Sequence, residues 1–303
     1  MKIRTLAGTL YKLATPLAAS VPPIVSYRIA VLVGDLEYVV SKRHKATTFF
    51  NLEKILAPRL NEKQRRKVAR DFFRLRACEA LDEILVTRNT SAFMKLVSIR
   101  GKEHIDKARE EGKGAILANA HFGSIICSIF VIGMLGYPVT VIAKWSFAAD
   151  RVSASSPQSL GRAARITRNI RRNINTRENK LTAAVQAAAA LRMNELVFTN
   201  LEAPVSKSDR PRAILVPFIT GEVLVLPGAV LLSRSTGAPI LITLMHRSPN
   251  YRNQTLEISP PLQLSSNANE ALRQCMAEIE KQILQSPAHW VRWDKSGTAA
   301  EHT

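Results

Sequence analysis

The sequence has few cysteines, few aromatic residues and a deficit of acidic residues. Its three cysteines, Cys78, Cys127 and Cys275, fit neither a disulfide framework nor a zinc site and favour a reducing compartment. Aromatic residues make up 6% of the 303 residues, and 24 acidic residues stand against 43 Lys and Arg, for a formal net charge of +19. This charge predicts an anionic partner: nucleic acid, a membrane surface or phosphorylated substrates.

Long hydrophobic runs are also missing, since none reaches the roughly 20 apolar residues that a membrane-spanning helix needs. Residues 6–40 are largely apolar and follow Lys2 and Arg4, like the basic start of a signal peptide. Charged residues and prolines interrupt this segment: Lys12, Arg28, Asp35, Glu37, Pro16, Pro22 and Pro23. The interruptions argue against export. Residues 1–45 are therefore predicted to form one or two helices that lie on a membrane or pack on the body of the protein.

The remaining sequence alternates between two hydrophobic periodicities. Residues 51–96 show helical periodicity, and short apolar runs then predict strands at 115–118, 139–143, 196–199, 214–219, 238–245 and 255–258. Helical stretches separate them at 125–135, 160–175, 181–192, 227–235 and 268–285. This alternation predicts an α/β fold with a mixed, mostly parallel central sheet flanked by helices, after an N-terminal helical segment. The main domain is predicted over residues 46–296, with a tail at 297–303.

The stretch 160–175 is the most basic of the predicted helices. Ile166, Ile170 and Ile174 recur every fourth residue on one face, and arginines occupy another: Arg162, Arg165, Arg168, Arg171 and Arg172. A basic amphipathic helix is typical of proteins that bind a membrane surface or another polyanion. An ordinary solvated helix is the alternative.

His121 is the first candidate for chemistry. It lies where a predicted buried strand ends and a helix begins, which is the edge at which open α/β sheets bind ligands. An imidazole there can act as a general base toward a hydroxyl or an amine, and Gly123 removes side-chain bulk where a substrate must approach. A structural histidine beside a strand is the alternative.

Seven segments follow one another in a defined order. They are His-Phe-Gly at 121–123, a strand with Asn-Leu-Glu at 196–202, Val-Pro-Phe-Ile-Thr-Gly at 216–221, Leu-Pro-Gly-Ala at 226–229, Thr-Gly-Ala-Pro at 236–239, Arg247, and Ser-Pro-Ala-His-Trp-Val-Arg-Trp at 286–293. Together they resemble the lipid A biosynthesis acyltransferase family, within the lysophospholipid acyltransferase superfamily. The resemblance covers about residues 51–295.

This resemblance implies transfer of a fatty acyl group from acyl-carrier protein or acyl-CoA to a hydroxyl, or an amine, of a lipid or glycolipid. It implies no metal, no cofactor and no acyl-enzyme. Members use a His base and, shortly after it, an Asp or Glu that orients the ring, but residues 125–126 of this chain are both Ile. Glu202 follows another strand, in a block where members carry an acidic residue, and is predicted to pair with His121. Ser124 or Asn200 are alternative partners, and a turn residue is the alternative role for Glu202.

The resemblance and the charge pattern also suggest a substrate site. Six residues are predicted to contribute to it: Gly123, Ser124, Lys144, Arg162, Arg165 and Arg247. The four basic members can bind the phosphate of the donor's pantetheine or of the acceptor head group. Solvated surface charge is the alternative for these residues. Trp290 and Trp293 are predicted to close the domain or to lie at the membrane interface.

Basic residues beside apolar segments favour a protein bound to a membrane surface, and the resemblance implies that it is bound peripherally to the cytoplasmic face of a bacterial inner membrane. Acyl-carrier protein is acidic and is a second expected partner of the basic surface. A catalytically inactive family member that binds lipid or a partner enzyme is the main alternative, because the usual acid is missing. A nucleic-acid-binding protein is less favoured, since the sequence has no zinc spacing, no aromatic and basic sheet motif and no helix-turn-helix.

Overall fold

The computed structural model describes residues 21–143, 167–176 and 180–293. Three residues of the predicted substrate site, Lys144, Arg162 and Arg165, lie outside these ranges. Within them, helices come first along the chain: α1 (Pro23–Val40), α2 (Lys42–Leu56), α3 (Glu62–Arg88) and the short α4 (Thr90–Met94). The predicted N-terminal helical segment is therefore confirmed from residue 23 onward, and residues 1–20 of that prediction lie outside the described ranges. Helix α2 crosses residue 45, and the domain division placed there stays a prediction.

Helix α1 packs along α3 with its small and aromatic residues facing inward. Gly34 lies where the two helices meet, and a Cβ added to it would be 2.6 Å from the Cα of Arg74, so only glycine allows this approach. Asp35 accepts hydrogen bonds from Arg74 and Arg70 of α3 beside this contact. The opposite face of α1 is apolar and exposed: Val25, Ile29, Leu32, Leu36 and Val39. No helix in the described ranges combines the length and apolarity needed to cross a bilayer.

Most of the remaining strands and helices are those that the sequence predicts, and three further elements, at residues 97–100, 102–110 and 221–225, were not predicted. The strands are β1 (Val97–Arg100), β2 (Ala115–Asn119), β3 (Val139–Ala143), β4 (Ile170–Asn175), β5 (Leu196–Asn200), β6 (Ile214–Phe218), β7 (Gly221–Val225), β8 (Ile240–Arg247) and β9 (Gln254–Ile258). The helices are α5 (Lys102–Glu110), α6 (Ile125–Met134), α7 (Lys180–Arg192), α8 (Gly228–Thr236) and α9 (Ala268–Gln285). Short 3-10 turns lie at Lys207–Arg212 and Pro287–His289.

Seven strands form one sheet in the order β1-β9-β8-β2-β5-β3-β4. All neighbours are parallel except β8 and β9, which are antiparallel. The predicted mixed, mostly parallel sheet is confirmed. The strand predicted at 214–219 also forms, but it pairs with β7 in a separate antiparallel hairpin.

The central strand β2 separates two apolar cores. Ile116 and Ala118 face one core, and Ala115 and Leu117 face the other, because successive strand residues point to opposite faces. All five residues of β2 are buried, as expected for a parallel strand covered by helices on both sides. The carboxyl end of β2 is therefore supported by a neighbouring strand on each side and by a packed core on each face.

The helix predicted over residues 160–175 is wrong at its end, because Ile170–Asn175 is strand β4, and residues 160–166 of the prediction lie outside the described ranges. It pairs in parallel with β3 at the border of the sheet. The mistake has a simple cause: a spacing of four is even, so Ile170 and Ile174 share a face of a strand as well as of a helix. Arg171 and Arg172 are exposed on this border strand, where charged side chains discourage pairing with other chains.

Candidate active site

His121 and Glu202 meet because two parallel strands end in register. Asn119 of β2 lies opposite Asn200 of β5, and the backbone N–H of Leu201 donates to the carbonyl of Asn119 at 2.9 Å. His121 and Glu202 each lie two residues beyond this matched pair. The strand register therefore places both side chains at the same carboxyl edge, near the centre of the sheet.

The Glu202 carboxylate contacts His121 through both of its oxygens. Oε2 lies 2.6 Å from Nδ1 of the His121 ring, and Oε1 accepts a hydrogen bond from the His121 backbone N–H at 2.6 Å. A carboxylate at Nδ1 assigns the ring proton to that nitrogen and leaves Nε2 as the acceptor. The His121 side chain is 29% exposed, whereas the Glu202 side chain is 1% exposed. The arrangement is an open imidazole backed by an enclosed carboxylate.

Two further side chains hold Glu202 from the C-terminal part of the chain. The indole N–H of Trp290 donates to Oε1 at 3.0 Å, and Nη1 of Arg292 donates to the Glu202 backbone carbonyl at 2.9 Å. Burial raises the pKa of Glu202, but the charge and hydrogen bonds of His121 and the charge of Arg292 outweigh it and bring the pKa down to about 2. Glu202 is therefore ionised at neutral pH.

The same C-terminal segment, residues 289–292, also fixes the backbone around His121. The N–H of Val291 donates to the carbonyl of His121 at 2.7 Å, and the N–H of Gly123 donates to the carbonyl of His289 at 2.8 Å. The rings of Phe122 and His289 stack with centroids 5.1 Å apart. His121 is thus held on one side by β5 and on the other by this segment.

Gly123 has a different role from the one that the sequence suggested. Its φ is +60°, and a Cβ added there would lie 2.0 Å from the carbonyl oxygen of Met245 in β8. The space that glycine leaves open is filled by backbone and is not available to a substrate. Any larger residue would push the turn after His121 away from the sheet.

The alternative partners of His121 lie elsewhere. Ser124 is buried at the N-terminus of α6 and makes no side-chain cap for that helix. The side-chain oxygen of Asn200 is buried and has no hydrogen-bond partner among the described residues. Neither side chain hydrogen-bonds the His121 ring, which is paired with Glu202. Ile126, where the family resemblance leads us to expect an acidic residue, packs into one of the two apolar cores.

Arg247 is not placed to bind a phosphate, contrary to the prediction. Its side chain is 3% exposed and pairs with Asp82 of α3, while Nη1 donates to the carbonyl of Tyr251 at 2.9 Å. Tyr27 of α1 donates to the second oxygen of Asp82 at 2.5 Å. Burial raises the pKa of Asp82 to about 6, against the opposing effects of Arg247 and Tyr27. This buried cluster joins α1, α3 and β8.

Trp290 and Trp293 close the domain and do not lie at an interface with a membrane. They are 1% and 0% exposed, and their rings meet edge to face at 4.7 Å. The contact of Trp290 with Glu202 was not predicted from the sequence, although both residues belong to the segments that carry the family resemblance. Among the described residues, no group of three His, Cys, Asp or Glu side chains is arranged to hold a metal ion.

Comparison with known proteins agrees with the resemblance. The family model for bacterial lipid A biosynthesis acyltransferases matches residues 4–295, which include His121, Glu202 and the segment 289–292. No curated protein matches the chain significantly. The match covers almost the whole chain, so the site described above lies within it.

Proposed function

The chain belongs to the bacterial lipid A biosynthesis acyltransferase family, and on that premise we propose that His121 is the general base of an acyl transfer to a lipid-like acceptor. The acyl donor is acyl-carrier protein or acyl-CoA, and the acceptor presents a hydroxyl or an amine. One observation carries the proposal: an open imidazole at the carboxyl edge of the sheet is backed at Nδ1 by a buried carboxylate, 2.6 Å away. An imidazole that a carboxylate orients in this way is well suited to act as a general base.

The proposed reaction is a direct attack of the acceptor on the donor thioester. Nε2 of His121 takes the proton of the acceptor hydroxyl as its oxygen bonds to the thioester carbonyl carbon. Glu202 stabilises the imidazolium that forms, because its carboxylate accepts the Nδ1 proton in a hydrogen bond. The tetrahedral intermediate then collapses, the carbon–sulfur bond breaks, and the departing thiolate takes the proton from Nε2. Backbone N–H groups in the first turn of α6, which begins four residues after His121, are one candidate to stabilise the oxyanion.

Glu202 takes the place of the acid that the motif lacks. Family members carry this acid shortly after the His, but that position is occupied by Ile126, which is buried in the apolar core. A carboxylate from the neighbouring strand reaches Nδ1 of the ring equally directly. The proposal therefore favours an active enzyme over an inactive member that binds lipid or a partner enzyme.

Helix α1 is the proposed membrane contact. Its outward face presents five exposed apolar residues along one side, and Phe50 of α2 is exposed as well. Basic residues begin α2 directly after α1: Lys42, Arg43 and Lys45. An exposed apolar face flanked by cations is suited to the surface of an anionic membrane, where the helix lies in the interface plane. We place this contact on the cytoplasmic face of the bacterial inner membrane.

The decisive experiment compares His121→Ala with His104→Ala, which replaces a histidine on α5. Purified proteins are assayed with acyl-carrier protein and acyl-CoA donors, and lipids and metabolites of cells carrying each variant are compared by mass spectrometry. We expect an acylated product from the unchanged protein and from His104→Ala, and its loss in His121→Ala. An identical product profile for both variants would show that His121 is not the base. Absence of any acyl transfer by the unchanged protein would favour the inactive alternative.

Membrane binding is tested separately by sedimentation with anionic liposomes. We expect the unchanged protein to sediment with the liposomes at moderate salt. The double variant that combines Leu32→Glu and Leu36→Glu should remain in solution, because charges on the exposed face of α1 oppose its insertion into the membrane interface. Leu231→Glu, at an exposed apolar position on α8, is the matched control and should still sediment. Retention of the protein on heparin or DNA without liposome binding would instead support the nucleic-acid alternative.

A further inference from the structure

The two oxygens of the Glu202 carboxylate have different hydrogen-bond partners. Oε2 faces the ring of His121, and Oε1 receives the His121 backbone N–H together with the indole N–H of Trp290. We propose that Trp290 is a positioning residue that fixes the rotation of this carboxylate and so keeps Oε2 aimed at Nδ1. The inference rests on the proposed function, in which His121 is the base.

The indole is well suited to this task because its own orientation is fixed. The Trp290 ring is 1% exposed and packs edge to face against Trp293 and against Phe218, with centroids 4.7 and 6.0 Å away. A buried ring enclosed in this way cannot turn its N–H elsewhere without displacing its neighbours. The donor therefore points in a constant direction toward Oε1.

Backbone hydrogen bonds between the segment that carries Trp290 and the turn that carries His121 fix the position of the indole relative to His121 and Glu202. Phe122 and Trp290 form an antiparallel bridge, and Val291 donates to the carbonyl of His121 at 2.7 Å. Arg292 holds the backbone carbonyl of Glu202 from the same segment. The short segment of residues 290–292 thus contacts the backbone of both His121 and Glu202 and fixes their positions relative to each other. Without the indole donor, the backbone N–H of His121 is the one remaining donor to Oε1 among the described residues, and the carboxylate gains freedom to rotate.

The chain offers a matched control for the loss of an indole N–H. Trp293 is equally buried and next to Trp290, but its N–H donates to the backbone carbonyl of Pro287 at 2.6 Å. Replacing either tryptophan by phenylalanine exchanges the indole for a smaller phenyl ring and removes the hydrogen bond that its N–H donates. We expect Trp290→Phe to lower kcat by roughly 10-fold or more, the scale of one hydrogen bond to a charged group, with KM unchanged. Trp293→Phe should change kcat less than about 2-fold.

A double-replacement cycle separates positioning from general damage. In a Glu202→Gln background there is no carboxylate to orient, so Trp290→Phe should cost at most about 2-fold in residual kcat. An undiminished further loss in that background, or equal losses for the two tryptophan variants, would overturn the inference.

A second measurement does not depend on catalysis. Histidine ring ¹⁵N chemical shifts report the tautomer, and the His121 signals are assigned by their absence in His121→Ala. We expect the Nδ1-protonated tautomer in the unchanged protein and in Trp293→Phe, and a mixture of tautomers in Trp290→Phe. Unaltered His121 shifts in Trp290→Phe would overturn the inference. A shift to mixed tautomers supports it even if the assays find no acyl transfer, in which case only the proposed function fails.

Discussion

Glu202 and Asp82 are both buried carboxylates that pair with a basic side chain, yet their surroundings differ. Glu202 faces a partly exposed His121 and has a pKa lowered to about 2, whereas Asp82 faces an enclosed Arg247 and has a pKa raised to about 6 by burial. The first pair opens to solvent at the edge of the sheet. The second joins two helices to a strand. The comparison teaches that exposure of the basic partner, and not the presence of a buried ion pair, distinguishes the proposed catalytic pair from the structural one.

The largest effect separates the two pairs by activity. We expect Glu202→Gln to lower kcat by roughly 10³-fold or more, close to the effect of His121→Ala, because an imidazole without its carboxylate loses its tautomer and the stabilisation of its cation. Glu195→Gln provides the control. Glu195 is also a buried glutamate, but it lies just before β5, at the opposite end of the strand from Glu202, and accepts a hydrogen bond from the Thr140 hydroxyl at 2.6 Å. Steady-state kinetics measure both. Near-normal activity of Glu202→Gln would remove the pair from the mechanism.

The next effect separates the pairs by stability. Asp82→Asn replaces one of the two carboxylate oxygens that accept hydrogen bonds from Tyr27 and Arg247 by an NH₂ group, and we expect the free energy of unfolding at neutral pH to fall by about 1–3 kcal/mol. The kcat of the molecules that remain folded should stay within about 3-fold, since the Asp82 cluster does not contact the His121 ring. Denaturant titration and active-site-normalised kinetics test this. A large loss of kcat at unchanged stability would mean that the two pairs are not distinct in role.

The pH dependence of stability should have opposite signs at the two sites. The pKa of Glu202 is lowered from 4.5 to about 2, so its stabilisation is complete above pH 4.5 and is lost as the pH falls toward 2, by roughly 3 kcal/mol in total. The pKa of Asp82 is raised from 3.8 to about 6, so the folded state takes up this proton first and the contribution of Asp82 becomes more favourable as the pH falls from 6 to 3.8.

These signs are measured as differences from the unchanged protein. The stability advantage of the unchanged protein over Glu202→Gln should shrink below pH 4.5. Its advantage over Asp82→Asn should instead grow between pH 6 and 3.8. Parallel profiles for the two variants would contradict the assignment of opposite pKa directions.

The smallest effect concerns the third member of the Asp82 cluster. Tyr27→Phe removes one donor to Asp82 while Arg247 remains, and we expect a loss of about 1 kcal/mol in unfolding free energy without a change in kcat. Thermal unfolding and kinetics measure the two quantities. A drop in kcat would indicate that changes in the Asp82 cluster affect the proposed active site. The connection would be the backbone N–H of Arg247, which donates to Nε2 of His289 at 3.0 Å.

The contact between His121 and Glu202 could be predicted from two signals, the position of each residue at the end of a strand and the resemblance to a family that carries an acidic residue in the block around Glu202. Each residue follows an apolar strand, and parallel strands of one sheet bring their carboxyl ends to the same edge. The sheet, most of its strands and the helices between them follow from the same periodicity. Catalytic roles for the two residues remain predictions until the variants are assayed.

Other features depend on contacts that no local pattern encodes. The isoleucines at 170 and 174 satisfy helix and strand periodicity equally, and pairing with β3 decides for the strand. The burial of Arg247 depends on Asp82, whose one sequence signal is an acidic residue inside an apolar helical stripe. The donor from Trp290 to Glu202 joins residues that are 88 positions apart. Only the folded chain shows these three contacts.

The central position of β2 has a consequence for how the protein reaches its folded state. Its neighbours on either side are β5 and β8, so Ala115 pairs with Leu196 and Ile116 with Ile240. Such distant pairings impose a high contact order and slow folding, and a growing chain exposes the edges of β2 until residue 247 has been synthesised. The ring of His121 acquires its carboxylate only after Glu202 arrives, and its second support only with residues 289–292. The arrangement around His121 is therefore complete only when Glu202 and residues 289–292 are in place, and an incompletely folded chain does not contain it.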